Sequence, residues 1–338
     1  MGIKAYIAGL SGLTPTSREA ALFTRYPPWG FILFSRNIGD YDQVRALTSD
    51  LRNITGRADT PILIDQEGGR VQRLRPPNWP SYPPARLIGE IYARDHEAGL
   101  RAAFLNSRLI AFDLHRMGIN VDCMPVLDVP IEGADDVIGD RAYSYQPYEV
   151  AQLGRAACEG LLRGGVLPVI KHIPGHGRAF SDSHKALPVV RTDPAVLGCT
   201  DFYPFMQLAD MPLAMTAHVV FSGFDAANPA THSKVMIGRI IRGWLGYDGL
   251  LMSDDLSMHA LSGDFGRRAR SAFGAGCDIV LHCNGVFEEM SAVAKAAREL
   301  VREPARRAKR ALERLQQPVA SNEAAYRVEF ARLVRTVS

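Results

Sequence analysis

"GGVLPVIKHIPGHG", residues 164–177, sets out in fourteen residues the order of events that decides the fold. Two glycines end a helix-length amphipathic stretch that Pro147 opens. An apolar run follows at once, Val166 to Ile170, too short for a helix and lacking polar alternation, as expected of a parallel strand buried on both faces. The run stops on Lys171 and His172, and a Pro-Gly-His-Gly turn then leads into a loop that reaches Thr192.

Short runs of this kind occur eight times: Ala5 to Leu10, Phe31 to Phe34, Pro61 to Asp65, Ile119 to Leu127, Val166 to Ile170, Leu213 to His218, Gly249 to Ser253 and Asp278 to His282. Between them lie helical patterns with readable ends. "TSRE" at 16–19 fits a capping box, Asp42 begins a run that stops at Gly56, and Arg101 to Met117 stops at Gly118. Further helices are expected over about 193–210, 233–245 and 265–275. Eight strands alternating with helices predict an α/β fold, a (β/α)8 TIM barrel; an open doubly wound sheet is the structural alternative. The connections favour the barrel. Helix-to-strand links are short, whereas Gln66–Arg94, Asp128–Gln146, His172–Thr192 and Val219–His232 read as long strand-to-helix loops, gathered at the end where a barrel builds its ligand site. One domain over 1–338 is expected, with the barrel at about 4–290 and C-terminal helices at about 286–338, whose charge run reads as a solvated helix face.

Composition narrows the function classes. Apolar residues make up 47% and charged residues 22%, which suits a globular protein with a large core. The net charge of +3 is too small to imply a nucleic-acid or anionic-membrane partner. Five scattered cysteines with no CxxC pair read as reduced core residues. "MGIKAYIAGLSGLTPTSREA" lacks the h-region and cleavage site of a signal peptide, so a cytoplasmic location is expected.

Polar residues stand where the apolar runs stop: Arg36 and Asn37, Asp65, Asp128, Lys171 and His172, His218, Asp254 and Asp255, and Asn284. In a barrel these ends converge on one mouth. His172, His176 and His184 invite a metal reading, but Pro174–Gly177 bars helical spacing across the first pair, and no metal or cofactor is expected. A phosphate cradle is absent too, since neither GxGxxG nor the P-loop pattern occurs. An acid/base loop remains. Asp182 and His184 are two apart, on the same side of an extended segment, and a carboxylate so placed fixes an imidazole's tautomer. "SDD" at 253–255 supplies a candidate nucleophile across the pocket. Taken singly, these residues also fit a surface histidine and a helix-cap aspartate.

The motifs together resemble the family 3 glycoside hydrolases, in particular their short bacterial β-N-acetylhexosaminidase branch. "ILIDQEGGRVQRL" (62–74), "MPVLDV" (124–129), "GDRAYS" (139–144), "KHIPGHG" followed by "DSHKALP", "GYDGLLMSDDLSM" (246–258) and "GCDIVLHCN" (276–284) appear in that branch's order, over roughly residues 5 to 290. The resemblance implies a retaining exo-enzyme that cleaves terminal β-linked N-acetylglucosamine through a covalent glycosyl-enzyme. It makes Asp254 the nucleophile and His184 the acid/base oriented by Asp182, where most retaining glycosidases use two carboxylates. It assigns Asp65, Arg73, Arg141, Lys171 and His172 to the −1 sugar subsite. It implies a monomer acting on a small-molecule muropeptide, N-acetylglucosaminyl-1,6-anhydro-N-acetylmuramyl-peptide, in peptidoglycan recycling. A phosphorylase and a non-catalytic sugar-binding barrel are the rival readings. Gly175 and Gly177 are expected to let the His184 loop swing.

Overall fold

The computed structural model describes residues 2–183 and 186–337. Eight parallel strands close a barrel in chain order: β1 (Lys4–Gly9), β2 (Pro28–Leu33), β3 (Ile62–Ile64), β4 (Val121–Asp122), β5 (Leu167–Ile173), β6 (Leu213–Thr216), β7 (Leu250–Asp255) and β8 (Ile279–His282), which pairs back onto β1 with Tyr6 opposite Val280. Each of the eight apolar runs supplies one strand. Their lack of alternation has a direct cause: Ile7, Leu63, Val169, Leu213, Met252 and Ile279 fill the interior, while Tyr6, Ile62, Ile64, Ile170, Ala214 and Val280 face the helices. β4 is shorter than its apolar run, which contains Pro125, a residue with no N–H to give a ladder.

The helices are α1 (Ser17–Arg25), α2 (Tyr41–Thr55), α3 (Ala85–Arg94), α4 (His96–Arg116), α5 (Pro147–Arg163), α6 (Pro194–Cys199), α7 (Tyr203–Gln207), α8 (Phe265–Ala275), α9 (Phe287–Ala296), α10 (Arg302–Glu313) and α11 (Glu323–Val334), with a π-helical stretch over Val235–Trp244. The Thr16 capping box with Glu19 is formed, and α2 ends on left-handed Gly56. Two expectations change. The segment 66–94 is not one loop, since it holds a hairpin (Gln66–Gly68 with Val71–Gln72) and α3. The helix expected over 193–210 is broken into α6 and α7, the second carrying Pro204 in its first turn.

The lower end of the barrel is plugged by α10, whose Ala308 and Ala311 join the interior cluster with Trp29. Among the described residues no helix is long and apolar enough to cross a membrane.

Candidate active site

Asp65 leaves the end of β3 and enters the hairpin with its place already set. Gln66 donates from its main-chain N–H to Asp122 Oδ1 (3.0 Å) and accepts through Oε1 from the main-chain N–H groups of Arg73 (2.9 Å) and Leu74 (3.0 Å). This folds Arg73 back so that its Nη2 donates to Asp65 Oδ2 at 3.1 Å. The other oxygen, Oδ1, accepts from Lys171 Nζ at 2.9 Å. Lys171 also meets Glu67 Oε1 at 2.6 Å, and Arg141 grips Glu67 with two parallel bonds of 2.9 Å. Burial alone would raise both carboxyls; Lys171 and Arg73 outweigh it at Asp65, and Arg141 and Lys171 outweigh it at Glu67, leaving Asp65 well below the usual range and Glu67 at about 2. Lys171 is likewise kept charged against its own burial by Asp65 and Glu67.

β5 delivers the second group. His172 Nδ1 lies 2.7 Å from Asp128 Oδ2. Asp128 is held below the ordinary carboxylate range, since His172 and His176 outweigh the effect of its complete burial. An ionised carboxylate only accepts, so Nδ1 carries the proton and Nε2 is left to face the pocket. Asp128 Oδ1 accepts from the His176 main-chain N–H (2.7 Å), which ties the turn after β5 to the same carboxylate.

β7 delivers Asp254. It lines one pocket of about 190 Å³ with Asp65, Glu67, Arg73, Arg141, Lys171 and His172, over an apolar wall that includes Met215 and Leu281. Asp254 Oδ1 accepts from the Asp255 N–H at 2.7 Å. Asp255 lines the same pocket, but its Oδ1 is engaged, accepting from the Ser257 and Cys283 main-chain N–H groups at 2.9 and 3.0 Å and bracing the loop. Beneath them His218, its pKa lowered by burial, donates from Nε2 to the Asp255 carbonyl (3.0 Å) and contacts Thr231 Oγ1 through Nδ1 (2.7 Å).

The residues expected to hold sugar, Asp65, Arg73, Arg141, Lys171 and His172, thus converge with Asp254 on one pocket. Asp182 lies on the loop after β5, and His184 lies outside the described residues. The other polar strand ends do different work: Arg36 and Asn37 donate to the Leu10 carbonyl, and Asn284 caps the chain before α9 through Val286 N and Glu289. Gly177 has a packing reason, because a Cβ there would stand 2.1 Å from the Val129 carbonyl oxygen. Glu67 was missed, although a signal existed. Three cations set against Asp65 and Asp254 leave a buried pocket one negative charge short, and "DQEGGR" holds the nearest candidate. A larger hollow of about 670 Å³ lies between the C-terminal ends of α2 and α4, but there Arg52 and Arg57 already donate to main-chain carbonyls.

The model of the glycosyl hydrolase family 3 N-terminal domain matches residues 10–317. A β-hexosaminidase of Methylococcus capsulatus is 42% identical over 259 residues, 75% of each chain, and one of Bordetella avium is 41% identical over 261 residues, 75% of this chain and 73% of that one. Among solved structures, NagZ from Neisseria gonorrhoeae in complex with N-trifluoroacetyl-D-glucosamine superposes with a TM-score of 0.88 at 30% identity, covering 100% of this chain and 99% of that one. A β-N-acetylhexosaminidase from Beutenbergia cavernae gives 0.75 at 27% identity, covering 98% and 95%. The chain belongs to glycosyl hydrolase family 3 and is a glycoside hydrolase akin to the β-hexosaminidases of that family.

Proposed function

We propose that the protein is an exo-acting β-N-acetylglucosaminidase that releases terminal β-linked N-acetylglucosamine with retention. Asp254 attacks the anomeric carbon; His184, oriented by Asp182, protonates the leaving oxygen and then takes a proton from the incoming water. Asp65, Arg73, Arg141, Lys171 and His172 hold the sugar. The observation that carries this reading is the placing of the Asp254 carboxylate in the pocket that the Asp65–Lys171–Glu67–Arg141 network closes. Hydroxyl groups of a sugar suit such a network because each can both donate and accept.

The charge pattern favours water over phosphate as acceptor. Asp65 and Glu67 are shared among Lys171, Arg73 and Arg141, and Asp254 is a third carboxylate lining the same pocket, so among these described residues cations and carboxylates are equal in number. The resemblance further supports a monomer in the cytoplasm acting on N-acetylglucosaminyl-1,6-anhydro-N-acetylmuramyl-peptides during peptidoglycan recycling.

The test compares p-nitrophenyl β-N-acetylglucosaminide with the β-glucoside, for the native protein and for Asp254→Ala. The native protein should prefer the acetamido sugar, release the β-anomer first, and show no acceleration or sugar phosphate when phosphate is added. Asp254→Ala should lose on the order of 10⁴-fold or more in kcat. Cleavage of neither glycoside by the native protein, or full activity in the variant, would overturn the reading.

A further inference from the structure

Asp254 and Asp255 are consecutive residues of β7, yet both line the pocket. In a regular strand such neighbours point to opposite faces. The exception has a visible cause where β7 meets β8: Met252 stands opposite Ile279 and Asp255 opposite Leu281, so β7 takes one residue more than β8 over the same length, which is a bulge. Side chains of β7 stand in there for main-chain carbonyls. Leu281 N–H donates to Ser253 Oγ, and Cys283 N–H donates to Asp255 Oδ1, each at 3.0 Å.

Every polar atom of Asp255 is engaged at this bulge. Its Oδ1 also accepts from Ser257 N–H at 2.9 Å, and its Oδ2 accepts from the Ser257 hydroxyl. Its carbonyl accepts from His218 Nε2 at 3.0 Å and from Met258 N–H at 3.2 Å. His218 is itself fixed: it is completely buried, and its Nδ1 lies 2.7 Å from Thr231 Oγ1, which in turn lies 2.7 Å from Thr216 Oγ1 on β6. The carboxylate therefore ties Asp255 to the end of β8, and the carbonyl ties it to the segment that leaves β6. With both fixed, the direction of the Asp255 N–H is fixed as well. That N–H donates to Asp254 Oδ1 at 2.7 Å.

We propose that Asp255 is a positioning residue for the nucleophile, clamped between β8 and His218 so that its main-chain N–H orients the Asp254 carboxylate in the pocket. This rests on the assignment of nucleophilic attack to Asp254. The Asp255 carboxylate serves as an acceptor for N–H groups, not as a charge, a base or a second nucleophile. Orientation matters here because a misplacement of about 1 Å at a reacting atom can cost about a hundredfold in rate.

The experiment measures kcat/KM on p-nitrophenyl β-N-acetylglucosaminide, which reports the attack, beside the Ki of N-acetylglucosamine, which reports the sugar subsite alone. Asp255→Ala should lose about a hundredfold in kcat/KM while Ki changes less than about threefold. Asp255→Asn keeps Oδ1 as an acceptor for the Ser257 and Cys283 N–H groups and should recover most of that loss. His218 gives the same contrast from outside the pocket. His218→Gln, whose amide reaches the place of Nε2, should retain most of the activity; His218→Asn, whose amide stops at the place of Nδ1, should lose about tenfold to a hundredfold with Ki unchanged. This pair decides the matter even where Asp255→Ala does not fold. A loss in Asp255→Asn as large as that in Asp255→Ala would show that the charge acts, and a Ki that weakens in step with kcat/KM would show a general loss of the site. Either result overturns the proposal, as does undiminished kcat/KM in Asp255→Ala and His218→Asn. Asp254→Ala run alongside separates the two levels: if it is inactive while those variants keep full activity, the positioning role fails and the nucleophile assignment stands. If Asp254→Ala is fully active, both fail.

Discussion

At the mouth of the barrel Lys171 meets Asp65 and Glu67 with side chains only 2%, 14% and 7% exposed; at the opposite end Asp248, 50% exposed, gathers Arg306, Arg307 and Arg310. The groups are alike and the settings are opposite. A desolvated ion is costly unless its partners are complete, so the mouth is tolerable only as a network in which each cation has its carboxylate. At the other end Asp248, Arg306 and Arg310 remain about half exposed and hydrated, and their attraction is screened. The mouth keeps its ions because a sugar pocket needs donors and acceptors that are already oriented, whereas the lower end needs only to hold α10 over an apolar plug.

Breaking the mouth network should have the largest effect on stability. Glu67→Gln takes from Arg141 its ion-pair partner and leaves Lys171 sharing Asp65 with Arg73, and removal of one member of a buried ion pair costs about 3–5 kcal/mol. Urea unfolding at pH 7 checks this through the midpoint. A loss below about 1 kcal/mol would mean that water reaches Lys171 and that the mouth is no drier than the other end.

That network also shows how far the residues could be read in advance. All eight strands were legible because each is apolar on both faces, and their polar ends were legible because a buried run has to stop somewhere. The small pairings were not. Val189–Val190 beside Val220–Phe221 is a two-residue match between distant loops, set by tertiary contact and not by local pattern. At the site, Asp65, Lys171 and His172 were visible as strand ends, while Arg73 and Arg141 came from the family motifs. Glu67 follows β3 by three residues and faces Lys171 and Arg141 from a hairpin that the segment's glycines made look like loop. Asp128 was recognised as a strand end, but its hold on both histidines depends on the turn that brings His176 back to it.

Acid should weaken the mouth next. Burial pushes the His176 imidazole down to about 4, with the neighbouring His172 adding to the shift. In the unfolded chain the ring has its ordinary pKa of about 6.5. Between these values the unfolded state takes up a proton that the folded state refuses, so the stability contribution is whole above about pH 6.5 and is lost as the pH falls toward 4. The loss amounts to roughly 3 kcal/mol. His218 and His232, also lowered by burial, act in the same direction, so the test is the difference between native protein and His176→Gln. Native stability should fall more steeply from pH 6.5 to 4 than that of the variant; parallel curves would show that the folded ring accepts a proton at its ordinary pKa. The lower end has no such dependence to lose in this range. Its acid, Asp248, is held below the usual carboxylate range, as three arginines outweigh its partial burial.

The smallest effect should come from Asp248 itself. Its Oδ1 meets Arg307 at 2.9 Å, and its Oδ2 meets Arg310 at 2.8 Å and Arg306 at 3.2 Å, a denser set of ion pairs than Glu67 makes. Counting contacts would therefore rank Asp248→Ala above Glu67→Gln. Hydration reverses the order. Arg306 has Glu303 as a second partner and Arg307 has Asp278, so removing Asp248 strands neither charge, and Arg310 is 46% exposed and returns to water. The expected cost is under about 1 kcal/mol, shrinking further in high salt, with kcat/KM unchanged. A loss of several kcal/mol that salt does not reduce would show that α10 is held onto the barrel by these ions, and not by Ala308 and Ala311 in the apolar plug around Trp29.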